Sequence, residues 1–223
     1  MRIRRTLAAA SLAAFALTGA AVAPAQADSP AVLTQGSAGG AAIAVGDTLV
    51  ANLAPGTAAT FTNGAGSTTG VSCANSSFSA TVTSNPTAPG SATEQLNSQS
   101  FGSCTSNVFG VRSVKSVTAT SLPYTNTVTS GSGTNVSLNG TGAGPVGITV
   151  VLNTLLGTVT CVYQSPSGIT GSTSNADNSI SFANQPANLV SGPGLCFSTG
   201  YFSATYGPVT DSSVAGSPVL WVN

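Results

Sequence analysis

Histidine is absent from this chain of 223 residues, and its charged side chains number only five basic and five acidic. Acid–base catalysis, metal ligation and phosphate binding draw mainly on these missing or scarce residue types. A Ser-His-Asp triad and a Cys-His pair are excluded outright. Ser-Lys catalysis would need a buried Lys115, whereas residues 114–116 look like an exposed strand position. We therefore expect neither an enzyme nor a bound metal or cofactor.

The N-terminus has the pattern of a secretory signal peptide. Three arginines within the first five residues precede an apolar run over residues 7–22, and small residues follow at 25–27. We expect cleavage between Ala27 and Asp28, so that residues 1–27 are the signal peptide. Two adjacent arginines leave both the twin-arginine route and general secretion open. Either route predicts a secreted, extracellular protein.

The mature protein would contain few basic side chains. Beyond the predicted leader the basic residues are Arg112 and Lys115, against five acidic ones. Binding of nucleic acid or of anionic lipid depends on clustered lysine and arginine. We therefore expect no nucleic-acid partner and no membrane insertion after processing, and the composition leaves components of the extracellular space or cell wall as partners.

All four cysteines lie beyond the predicted leader, and an even number in an exported protein indicates two disulfides. Four cysteines allow three pairings. The sequential pairing, Cys73 with Cys104 and Cys161 with Cys196, is favoured because it closes loops of similar length. A zinc site is disfavoured, since the chain has no histidine and no Cys-x-x-Cys motif.

The composition is typical of β-proteins, because serine, threonine, valine and glycine dominate after residue 28 and helix formers are scarce. Apolar and hydroxyl-bearing side chains alternate over residues 78–83, 179–182 and 201–206. Turn signals such as Asn63-Gly64 cut the chain into many short segments. This pattern predicts an all-β fold, specifically an antiparallel β-sandwich of immunoglobulin-like or related type.

The longest apolar stretch, residues 146–152, is followed by a link over 153–157 and a second apolar segment over 158–163. We interpret these segments as two antiparallel strands at the centre of the core. Cys161, in the second strand, would fasten it to the segment around Cys196.

The predicted domain organisation is a signal peptide over residues 1–27, a flexible N-terminal arm over 28–40 and a single domain over 41–223. The arm is predicted because its residues are small and polar. A Gly/Ser stretch at 130–134 suits a hairpin loop better than a linker between domains. A faint similarity between the two cysteine-containing halves leaves an internal duplication open.

Acidic residues are the candidates for a carboxylate-dependent hydrolase, which needs two carboxylates within ~10 Å of each other across a cleft. They are Asp28, Asp47, Glu94, Asp177 and Asp211. Each has turn-like neighbours, so we expect solvated side chains and treat the hydrolase as a minor alternative. The oxygen-rich segment 175–179 is compatible with calcium binding, but the same residues are the ordinary ones of a tight turn.

Aromatic side chains near the C-terminus are the remaining candidates for binding. Tyr201, Tyr206 and Trp221 could form a stacking platform for a sugar or an apolar ligand, although such residues are more often part of a core or its rim. The main alternative function is therefore a small-ligand or glycan carrier that uses this cluster.

Three segments carry a resemblance to known proteins: residues 152–163 (LNTLLGTVTCVY), 195–206 (LCFSTGYFSATY) and the closing pair 222–223. They resemble a group of secreted actinobacterial proteins usually labelled "Tat pathway signal sequence domain protein". The resemblance implies export and an actinobacterial source, and it implies no activity or functional residues. We expect a secreted, non-catalytic protein with a structural or binding role in the extracellular space or cell wall.

Overall fold

The computed structural model describes residues 29–131 and 133–223, so the predicted signal peptide and its cleavage site at Ala27 and Asp28 lie outside the described residues. Within these two ranges the chain forms sixteen β-strands and no helix, which confirms the all-β prediction. No helix there is long and apolar enough to cross a membrane. The strands are β1 (Leu33–Gln35), β2 (Ala41–Ala42), β3 (Thr48–Asn52), β4 (Ala59–Thr62), β5 (Gly70–Ser84), β6 (Ser91–Ser106), β7 (Val111–Thr120), β8 (Tyr124–Thr129), β9 (Val136–Asn139), β10 (Val146–Thr154), β11 (Gly157–Ser165), β12 (Ile169–Ser174), β13 (Ser179–Ser191), β14 (Thr199–Tyr206), β15 (Thr210–Asp211) and β16 (Leu220–Val222).

Thirteen of these strands form one continuous sheet, and eight of them close into a ring. The ring runs β12-β9-β8-β6-β5-β4-β14-β13, and pairing of β12 with β13 closes it. Strands β11, β10 and β7 extend the sheet beyond β13, while β3 and β15 branch from β5. The strands therefore do not divide into the two separate sheets of an immunoglobulin-like sandwich.

The long strand β13 makes this closure possible because it pairs with two different strands along one of its edges. Its first residues pair with β12 and its last with β11, while β14 occupies the opposite edge. A register shift between Phe182 and Gln185 interrupts the pairing with β14. Such bulges bend and twist a strand, as a sheet that closes on itself requires.

Strands β10 and β11 confirm the predicted antiparallel pair, but both extend into the predicted link over 153–157. They pair antiparallel from Val146 opposite Ser165 to Thr154 opposite Gly157. Leu155 and Leu156 form the two-residue turn and are exposed to solvent. The hairpin belongs to the extension of the sheet, and its inward side chains help to cover the ring.

The predicted flexible arm over residues 28–40 instead contains strand β1, which pairs with both β16 and β2. Val32 and Leu33 have no solvent exposure. Asn85 also binds the backbone of Leu33 on both sides, because its Oδ1 accepts from the Leu33 amide and its Nδ2 donates to the Leu33 carbonyl. Burial of Val32 and Leu33, together with the pairing of β1 with two other strands, therefore holds this segment in place. The prediction of a flexible arm, which rested on the small, polar composition, is wrong for it.

Both disulfides pair as predicted, Cys73 with Cys104 and Cys161 with Cys196. The first joins β5 to β6, and the second joins β11 to the loop before β14. Two disulfides indicate an oxidising compartment.

Candidate functional site

A cavity of about 90 Å³ lies inside the closed ring and is partly open to solvent. Each of the eight ring strands contributes at least one lining side chain, because alternate side chains of a strand point to the same face. Side chains from β7, β10 and β11 complete the wall. The lining is mostly apolar, and its phenylalanines are Phe61, Phe78, Phe101, Phe182 and Phe202.

The aromatic side chains of the wall pack edge to face. The ring centroids of Phe78 and Tyr206 are 5.4 Å apart, and those of Phe101 and Phe202 are 6.3 Å apart. Such pairs are more favourable than their buried area alone suggests. They give the cavity a defined apolar wall.

Glu94 is the acidic residue among the described side chains that line this cavity. It lies on the inward face of β6, between the buried side chains of Ala92 and Leu96, and is only 2% exposed. Burial raises the pKa of Glu94 to about 6, and a hydrogen bond from Asn126 partly offsets this rise. The carboxyl group therefore changes charge near neutral pH.

Asn126 lies directly opposite Glu94 in the pairing of β6 and β8. Its Nδ2 donates a 2.9 Å hydrogen bond to Oε2 of Glu94. The other oxygens, Oε1 of Glu94 and Oδ1 of Asn126, are buried and have no hydrogen-bond partner among the described residues. The site thus presents two unpartnered acceptors on adjacent strands beside an apolar cavity.

The tyrosine hydroxyl groups of the wall, by contrast, form hydrogen bonds with other groups of the chain. The Tyr206 hydroxyl lies 2.9 Å from Oγ of Ser76 and accepts a 2.9 Å hydrogen bond from Nε2 of Gln99. The Tyr124 hydroxyl donates to the carbonyl of Gly147 and accepts from its amide. Burial raises the pKa of both phenols, to about 12 for Tyr206, so both are neutral at physiological pH.

The structure does not bring together the three aromatic residues predicted to bind a ligand. Tyr206 lines the cavity, whereas Tyr201 is an odd number of positions away on β14 and therefore faces the other side of the sheet. Trp221 lies on β16, in the separate three-stranded sheet. Of the three, only Tyr206 can contribute to this site.

The expectation that the acidic residues are solvated is wrong for Glu94 and Asp211. Asp211 has no solvent exposure, and burial together with the nearby negative charge of Asp47 raises its pKa. Its Oδ1 accepts a hydrogen bond from the Ser213 amide. Asp47 and Asp211 lie close enough to interact, so these two carboxylates do meet the distance that the hydrolase alternative requires, but neither is among the described residues that line the cavity.

The oxygen-rich segment 175–179 forms the turn between β12 and β13. The amide groups of Asn175 and Asn178 donate to the backbone carbonyls of Val222 and Leu220, respectively, and so fasten the turn to β16. Asp177 accepts a hydrogen bond from the Ser179 hydroxyl. Within the described ranges, no three histidine, cysteine or acidic side chains come together as a metal site.

The two cations of the described region, Arg112 and Lys115, are both exposed on β7. Lys115 therefore occupies the exposed strand position that the sequence predicted. It is not buried beside a serine, as Ser-Lys catalysis would require.

Sequence reasoning missed the Glu94–Asn126 pair, although the alternation of side chains contains a signal for it. Ala92 and Leu96 flank Glu94 at two-residue spacing, and Tyr124 and Val128 flank Asn126 in the same way. A polar residue within such an apolar alternation lies on the buried face.

Comparison of the chain with protein-family models, with curated proteins and with solved structures gives no match in any of the three.

Proposed function

We propose that this protein is a secreted, non-catalytic binding protein that holds a small, largely apolar molecule in the cavity inside the ring. The cavity itself is the observation that carries the proposal. Export is supported by the leader-like N-terminus and by the two disulfides. The resemblance to secreted actinobacterial proteins points in the same direction.

The cavity argues for a binding role over a purely structural one. Protein interiors are normally packed without voids much larger than a water molecule. Side chains that face such a space lack packing partners on that side. A protein selected only for rigidity gains nothing from this lack of contacts, whereas a ligand that fills the space supplies them.

The chemistry and size of the wall limit the ligand. A cavity of about 150 Å³ is sufficient for benzene, so a space of about 90 Å³ suits a smaller group, or one end of a molecule that extends into the opening. A free sugar would need many more hydrogen-bonding groups than this wall offers. We therefore favour a small apolar ligand over a glycan.

The test is to titrate the purified oxidised protein with small hydrocarbons, from propane to cyclopentane, and to follow methyl NMR signals of residues that line the cavity. Saturable shifts of Leu96, Leu138 and Ile169 are expected. Enlarging the half-buried Ala119 of the wall by Ala119→Leu should abolish them.

Thr118→Leu provides the matched control, since Thr118 is the exposed neighbour on the same strand. This variant adds a similar volume outside the cavity and should bind as the unmodified protein does. Absence of saturable binding by every member of the series would refute the proposed function.

A further inference from the structure

We propose that the ligand is a small apolar amine, whose protonated amino group is held between Glu94 and Asn126 while its hydrocarbon part fills the cavity. This inference rests on the proposed function and specifies the ligand class of the same site. It is carried by the two buried acceptors that have no donor among the described residues, Oε1 of Glu94 and Oδ1 of Asn126.

The positions of these acceptors suit a single donor group. Residues directly opposite each other on antiparallel strands have Cβ atoms roughly 4.5–5.5 Å apart, so the two side chains lie side by side, and both line the cavity. The hydrogen bond from Asn126 to Oε2 fixes the orientation of the amide and leaves its oxygen free to accept. Both free atoms therefore accept hydrogen bonds and neither donates.

An ammonium group matches this arrangement better than other head groups. It carries three donors and no acceptor, so it can satisfy both oxygens at once. A hydroxyl group has a single donor, and a hydrocarbon leaves both oxygens unsatisfied. A carboxylate or phosphate would be repelled by ionised Glu94.

The ligand would also supply the positive charge that the protein does not place beside Glu94. The other titratable groups in the wall are the neutral phenols of Tyr124 on β8 and Tyr206 on β14, and the residue opposite Glu94 on β5 is Val82. Arg112 and Lys115 are exposed on β7 and are not among the described lining residues. A buried carboxylate is normally paired, and the amine would complete the pair.

Amine binding should depend on pH in a defined direction. The ammonium group binds the ionised form of Glu94, whose pKa is about 6 in the empty site. Protonation of the carboxyl group as the pH falls from 7 to 5 removes the charge that attracts the ligand. The affinity should therefore fall roughly tenfold over this range, with no comparable change for a neutral ligand.

The experiment compares three probes of similar size and shape: isopentylamine, 3-methylbutan-1-ol and 2-methylpentane. Each is titrated at pH 7 and pH 5 into the oxidised protein and followed by methyl NMR. At pH 7 we expect the amine to bind at least tenfold more tightly than the alcohol, and at pH 5 this preference should largely disappear.

Two variants locate the effect. Glu94→Gln removes the charge with almost no change in shape and should abolish the preference for the amine over the alcohol. Asp177→Asn removes an exposed carboxylate that is not among the described lining residues, and it should leave the preference unchanged.

The outcomes separate the two proposals. Equal affinity for amine and alcohol at pH 7, or a preference that persists in Glu94→Gln, would overturn the amine assignment. If 2-methylpentane still binds in that case, the proposed binding function stands. Failure of all three probes to bind would contradict both proposals.

Discussion

Cys73 and Cys104 lie directly opposite each other in the antiparallel pairing of β5 and β6, with their Cα atoms 3.9 Å apart. The bond therefore fastens two long strands within the hydrogen-bonded ladder. Cys161 and Cys196 are arranged differently, since their bond ties β11 to a loop outside the strand pairing. The two loops nevertheless contain similar numbers of residues, with sequence separations of 31 and 35.

Removing either disulfide should destabilise the protein by a similar amount. Chain-entropy arithmetic gives about 4 kcal/mol for closing a loop of either length. We expect the Cys73→Ser/Cys104→Ser and Cys161→Ser/Cys196→Ser variants each to lose about 3–4 kcal/mol of unfolding free energy in urea titrations. A loss below about 1 kcal/mol in either variant would mean that native packing, or structure in the unfolded chain, compensates for the missing bond.

The buried carboxyl group of Glu94 should make stability depend on pH. Its pKa is raised from 4.5 to about 6 on folding, so the folded protein binds this proton more tightly than the unfolded chain. The resulting stabilisation is fully present below about pH 4.5 and is lost as the pH rises through 6. The total change is about 2 kcal/mol.

Glu94→Gln isolates this effect, because the other titrating groups are shared by both proteins. The stability of the unmodified protein minus that of Glu94→Gln should fall by about 2 kcal/mol between pH 4 and pH 8. Urea unfolding at intervals of half a pH unit measures this difference. A flat difference would show that Glu94 titrates as it does in the unfolded chain.

The sequence predicts the local features of this fold well and its long-range pairing poorly. Two apolar segments identify the hairpin of β10 and β11, because these strands follow each other directly along the chain. By contrast, β6 pairs with β8 across one intervening strand, and β12 pairs with β9 across two. No local pattern specifies such partners.

The same limit explains why the sequence analysis did not predict the Glu94–Asn126 pair. Alternation alone places Tyr201 and Tyr206 on opposite faces of β14, and it places Glu94 on an apolar face. That Asn126 lies opposite Glu94 follows only from the pairing of β6 with β8. The sequence of each strand therefore predicts which side chains face the cavity. Which of these side chains lie next to each other depends on the strand pairing in the closed ring.

Asp211 should titrate at a higher pH than an ordinary aspartate. Burial raises its pKa from the ordinary 3.8, and the nearby charge of Asp47 raises it further. Carbon-13 NMR of the side-chain carboxyl groups measures this directly. Asp47→Asn should lower the pKa of Asp211 without restoring the ordinary value, because burial is the larger cause. Asp177→Asn is the control and should leave it unchanged; an Asp211 that titrates normally in the unmodified protein would contradict the buried arrangement.

Two leucines of the β10–β11 hairpin should respond differently to truncation, because one lies within a strand and the other in the turn. Leu152 is 5% exposed and packs in the main core, whereas Leu156 is fully exposed in the turn. Leu152→Ala should cost about 2–5 kcal/mol through lost burial and the cavity left behind. Leu156→Ala should change the unfolding free energy by no more than about 0.5 kcal/mol.

Urea denaturation of the two variants in parallel measures both effects, and the shared chemistry of the substitution makes each the control for the other. A large loss from Leu156→Ala would show that the turn packs against something in solution, such as a second copy of the chain. A small loss from Leu152→Ala would mean that the core collapses around the deletion. The expected contrast follows from the strand geometry, because a two-residue turn leaves both of its side chains outside the sheet while Leu152 remains within the ladder opposite Val159.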